Sequence, residues 1–161
     1  MLVVGLGNEL RGDDGAGIEL ARRVRERSRP TEVEVRELPG DPTALLDAWE
    51  GHEAVVAVDT MRSGAPPGTI RRLDASREPL PTDLCGSTST HAVGLGEAIE
   101  LARALGRLPA SLVVYAVEGR RFDAGAGLSA KVESAVSTLT TAVLREASDR
   151  SSRRGGAAAR Q

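Results

Sequence analysis

Hydrophobic positions along the chain switch repeatedly between two rhythms. Leu2 to Leu6 is a short, nearly continuous apolar run, the pattern of a strand buried on both faces. From Gly15 to about Arg27 the spacing becomes helical. Ile18, Ala21 and Val24 or Leu20 form the apolar stripe, and the Arg and Glu residues face water. Glu32 to Leu38 alternates and reads as an outer strand with one wetter face. Pro42 to Trp49 predicts a short helix with Pro42 in its first turn. A second apolar run, Ala54 to Val58, stops at Asp59. Thr69 to Leu73 is a further strand after the Pro66-Pro67-Gly68 turn, and Ser76 to Ser89 a long loop. His91 to Leu105 predicts a helix with Ala92, Leu95, Ile99 and Ala102 on one face and Gly106 as its stop. Leu112 to Val117 is another strand, and Leu128 to about Ala147 a long closing helix. This alternation predicts an α/β fold of three layers, a largely parallel twisted sheet between helices.

Composition changes this picture little. The 161 residues are 40% hydrophobic and only 2% aromatic, so one core must be built mainly from Val, Leu, Ile and Ala. Residues 1–148 read as a single domain. Residues 149–161 read as a disordered Arg-rich tail, having no periodic apolar residue to bury. Formal net charge is −2. Without the four arginines that follow Asp149 the balance is 17 basic against 23 acidic residues, or −6. An acidic body argues against nucleic acid as a partner. Cys85 is the single cysteine, which excludes an internal disulfide and a thiolate zinc site. No stretch approaches a membrane span, and the opening apolar residues are too few for a signal peptide. The expectation is a soluble, cytoplasmic protein.

In such sheets chemistry gathers beyond the carboxyl ends of the strands. Three segments place unusual polar residues there: Gly5 to Gly15 (GLGNELRGDDG), Val55 to Thr60 (VVAVDT) and Ser87 to His91 (STSTH). Gly5-Leu6-Gly7 invites a dinucleotide reading, with Glu37 about where a ribose-binding acid belongs. The third glycine of that fingerprint is missing, Leu10 standing in its place. Asp13 and Asp14 would meet the pyrophosphate at the helix start, each like-charge pair costing about 1 to 4 kcal/mol. One of these adjacent acids suffices to cap a helix, so the other is the functional candidate. Asp59, taken alone, is a turn residue closing a strand, but a carboxylate at the mouth of an apolar strand wants a partner or a cation. His91 follows Thr90, a natural N-cap, and the helix dipole keeps its ring in the neutral, metal-ligating form. His52, in a polar turn beside Glu53, reads as structural. Two carboxylates and one imidazole suit an exchangeable divalent transition ion. Cys85, Ser87 and Ser89 lie in no nucleophile motif.

GLGNELRGDDGAG, VVAVDT and STHAVGLGEAIEL together resemble the signature segments of the hydrogenase maturation proteases. The likeness runs from Leu2 to about Leu144. It implies a twisted sheet between helix layers of the phosphorylase/hydrolase-like type. It also implies an endopeptidase that releases the C-terminal extension of a hydrogenase large-subunit precursor. The metal-contacting positions would fall on Asp14, Asp59 and His91, the ion being nickel supplied by the precursor. Asp14 and Asp59 would be the catalytic carboxylates, whether hydrolysis is metal-assisted or follows an aspartyl-protease course. The chain departs from the pattern at Leu38 to Thr43 (LPGDPT), where Pro39 replaces an expected Asp, and at Ala116 to Gly119 (AVEG), which lacks a common Pro. The expected partner is thus the large-subunit precursor, met by a monomeric enzyme, with no nucleic-acid or membrane partner. Competing readings are a non-catalytic nickel-sensing chaperone for the large subunit and another hydrolase such as a peptidyl-tRNA hydrolase.

Overall fold

The computed structural model describes residues 1–39, 41–81 and 92–158. The first apolar run forms β1 (Leu2–Leu6), followed by a 3-10 turn (Gly12–Gly15) and α1 (Ala16–Arg27). Next come β2 (Glu34–Leu38), α2 (Pro42–Trp49), β3 (Ala54–Met61) and β4 (Ile70–Asp74). The chain ends with α3 (Ala92–Ala104), β5 (Ser111–Glu118) and α4 (Ala130–Ala158). The five strands lie in the order β2-β1-β3-β5-β4. Every neighbouring pair is parallel except β4–β5, an antiparallel edge. The three-layer, largely parallel α/β architecture predicted from periodicity is the one observed.

Alternation along the strands divides the core in two. Leu2, Val4, Val55, Ala57, Leu112 and Val114 face α2 and α3, where Leu45, Trp49, Leu95 and Ile99 cover them. Val3, Val56, Val58, Val113 and Val117 face α1 and α4, meeting Leu20, Val24, Val136 and Leu139. The helix ends follow local chemistry. Asp41 caps α2, its Oδ1 accepting from Ala44 N at 2.9 Å, with Pro42 directly after it. Gly106, at φ 65°, takes the left-handed conformation just beyond α3.

Two boundaries differ from expectation. β3 does not stop at Asp59 but runs to Met61, because β5 continues opposite it and pairs Asp59 with Ala116, Thr60 with Val117 and Met61 with Glu118. The reading of Asp59 as a turn residue is therefore corrected: it is a strand residue. At the other end of the chain α4 runs past Ser148 to Ala158 without a break. There Arg150 donates to Ser111 Oγ at 2.8 Å and to Glu146 Oε1 at 3.3 Å.

Candidate active site at the carboxyl edge of the sheet

Buried polarity is concentrated at one end of the molecule. Among the described residues the buried acids are Asp13, Asp14, Asp59 and Glu118, none more than 3% exposed. All four sit at the carboxyl ends of β3 and β5 or in the turn after β1.

Glycines bring these elements together. A Cβ on Gly17 would lie 2.3 Å from Val58 O and 2.4 Å from Leu6 O, and a Cβ on Gly5 would lie 2.1 Å from Gly17 O. The first turn of α1 thus rests directly on the backbones of β1 and β3. Asp14 precedes Gly17 by three residues and Asp59 follows Val58, so this contact carries both carboxylates to the same edge. Gly7, at φ 126°, lets the 3-10 turn fold back over β1. A Cβ there would stand 1.9 Å from Asp14 O.

The adjacent acids have separate surroundings. Asp13 Oδ2 accepts from Arg120 N and Arg121 N, both at 2.9 Å, and from Ser129 Oγ at 3.1 Å; its Oδ1 accepts from Ser129 N at 2.7 Å. Asp13 therefore caps the start of α4, not α1, and fastens the segment that follows β5. Burial pushes its carboxyl up, but the N–H groups of Arg121, Arg120 and Ser129 and the Ser129 hydroxyl outweigh that and hold it below its ordinary 3.8. Its main-chain carbonyl accepts from Thr60 Oγ1 at 2.9 Å, tying the turn to the residue after Asp59. Asp13 is thus committed to a structural role through both of its carboxylate oxygens.

Asp59 Oδ1 accepts from Thr60 N at 2.7 Å. It lines a cavity of about 20 Å³ with Thr60, Met61, Leu80, Leu95 and Gly96, room for one water-sized group. Leu95 and Gly96 belong to the opening turns of α3. His91, the expected third ligand, lies outside the described residues, as do Cys85, Ser87 and Ser89. Among the described residues no three His, Cys, Asp or Glu side chains are grouped to hold a metal ion.

Glu118 escaped the sequence reading. Its carboxylate accepts from Ser63 N, Ser63 Oγ at 2.8 Å and Gly64 N at 3.0 Å, fastening the β3–β4 connection. The signal was available: like Asp59, it is an acid ending an apolar run. Glu37, the one residue favouring a nucleotide, is engaged by Arg22 and Arg25. His52 Nε2 lies 3.4 Å from Glu34 Oε2, at the opposite, amino end of the sheet. A recess of about 630 Å³ is also at that end and shares no residue with the buried acid cluster.

A match to the hydrogenase maturation protease family spans residues 18–146. The chain belongs to that family. This protease is 30% identical over 151 residues to a Methanocaldococcus jannaschii protein described as a hydrogenase maturation protease, covering 91% of this chain and 95% of the other. Its fold is similar to that of the hydrogenase maturating endopeptidase HybD from E. coli, with a TM-score of 0.77, 25% identity and 92% of each chain covered. The [NiFe] hydrogenase maturation protease HybD from Thermococcus kodakarensis gives a TM-score of 0.70 at 25% identity, over 91% of this chain and 97% of that one. The protein is accordingly a peptide hydrolase that acts in hydrogenase maturation. Among the described residues no helix of the protease is long and apolar enough to cross a membrane.

Proposed function

We propose that this protease removes the C-terminal extension of a hydrogenase large-subunit precursor after nickel has been inserted, and that Asp14, Asp59 and His91 grip that nickel. The observation that carries the reading is the burial of Asp14 and Asp59 at one edge, under a helix turn pressed against the strands by Gly17. Two carboxylates withdrawn from water favour a cation between them. The cavity that Asp59 shares with Leu95 and Gly96 supports His91, four residues before Leu95 in the sequence, as the third ligand.

In this reading the metal is part of the substrate. Its capture fixes the scissile amide against the protease and polarises the carbonyl or a water. A carboxylate of Asp14 or Asp59 takes a proton from water as the oxygen bonds to the carbonyl carbon. The C–N bond then breaks, and the proton passes to the leaving amine. Cleavage in this reading follows metal insertion and takes place in the cytoplasm.

The test is mass spectrometry of purified precursor, nickel-loaded or nickel-free, after incubation with the protease. Loss of the extension is expected only from the loaded form. Asp14→Asn, Asp59→Asn and His91→Ala should each slow it by about 100-fold or more. Wild-type rates in His91→Ala or Asp59→Asn would remove these residues from the site, and binding of the precursor without mass loss would leave a chaperone role.

A further inference from the structure

Arginines elsewhere on this protein mostly have acidic partners: Arg22 and Arg25 share Glu37, Arg23 meets Glu19 and Glu133, and Arg107 meets Glu50. Four exposed arginines around the buried acids form no ion pair among the described residues: Arg11, Arg62, Arg120 and Arg121. They form one patch. Arg120 and Arg121 are held by their backbone N–H groups on Asp13. Gly12, next to Arg11, lies so close to Arg121 O that a Cβ would stand 2.4 Å from it. Arg62, three residues beyond Asp59, stacks its guanidinium 3.6 Å over the Phe122 ring. Arg121 also donates to Gly127 O at 2.9 Å, which fixes its direction without neutralising it. Leu10, 68% exposed, stands in the same loop, its carbonyl accepting from Gly125 N. Asp123 is the one exposed acid of the segment after β5.

We infer that this patch is a docking rim for an acidic, carboxylate-bearing stretch of the large-subunit precursor, read by Arg11, Arg62, Arg120 and Arg121 around Leu10. Pre-positioned guanidinium groups present paired donors that match carboxylates, and mixed Arg and apolar patches are what protein interfaces concentrate. Asp13 links the rim to the chemistry. The same carboxylate that holds the backbones of Arg120 and Arg121 is next in sequence to Asp14, so a bound stretch would be in register with the cutting site. The inference rests on the proposed proteolytic function for the identity of the partner.

The experiment compares wild-type protein with Arg120→Ala/Arg121→Ala and Arg11→Ala/Arg62→Ala, measuring precursor Kd and cleavage rate at low and high salt. Expected are a Kd raised about tenfold or more in each double variant, a weaker salt dependence, and a cleavage rate at saturating precursor close to wild type. Arg120→Lys/Arg121→Lys, which keeps the charge, should restore part of the affinity. Cleavage with an unchanged Kd and salt response would overturn the rim while leaving proteolysis intact. Arg-dependent binding without cleavage would keep the rim and sink the proteolytic reading. No binding of the precursor at all would overturn both.

Discussion

Asp13 is sealed from solvent and still charged, because three backbone N–H groups and a hydroxyl replace its water. Asp13→Ala leaves those donors buried without an acceptor and should cost about 3–5 kcal/mol in urea unfolding. Asp13→Asn turns an amide donor toward donors and should cost about 1–3 kcal/mol. The pH dependence has a definite sign. A carboxyl held below 3.8 in the folded chain adds stability above that value, and the contribution disappears as pH falls through the lowered folded value. Asp13→Asn should therefore flatten the acid limb of the stability curve below about pH 4, measured as unfolding midpoint against pH. Local pattern showed that two adjacent acids were one more than a cap needs, and only the family resemblance pointed to Asp14 as the functional one. Asp13's partners lie more than a hundred residues away in the chain, and no local pattern encodes them.

Among the elements, α1 and the strands beneath it decide where the carboxylates stand. Gly17→Ala would place a methyl group 2.3 Å from Val58 O and 2.4 Å from Leu6 O, both backbone atoms that cannot turn aside. The helix must lift, with a loss of about 1–3 kcal/mol or more. If the grip proposed for Asp14 and Asp59 holds, precursor cleavage should fall further than stability does, since the separation itself changes. Equilibrium unfolding and processing assays on the same preparation check both. Among the described residues periodicity found the five strands and the four α-helices, though not the 3-10 turn, because local apolar rhythm follows the layer an element faces. It placed the end of β3 too early, since Asp59 breaks the apolar run while the hydrogen bonds to β5 continue past it. Strand pairing is a tertiary event, and composition at one position does not report it.

For the whole molecule, the three-layer architecture was legible because alternating strands and helices have few ways to bury both kinds of apolar face. The strand order and the antiparallel edge were not, since they depend on which strands meet in space. The extension of α4 makes a separate prediction. Arg150's ties to Ser111 and Glu146 are partly exposed, and such pairs contribute little. Removing residues 149–161 should change stability by less than about 1 kcal/mol, followed by thermal unfolding, and leave precursor processing at the wild-type rate.

The seat of α1 on β1 and β3 is a contact of main chain with main chain, set by peptide dimensions that every sequence shares. Methyl groups can drift through both interior layers, and the loops can be rewritten for a different client protein, without altering the gauge between the two carboxylates. Whatever else such a chain changes, Gly5 and Gly17 are the places in that seat where a side chain would push main chain from main chain.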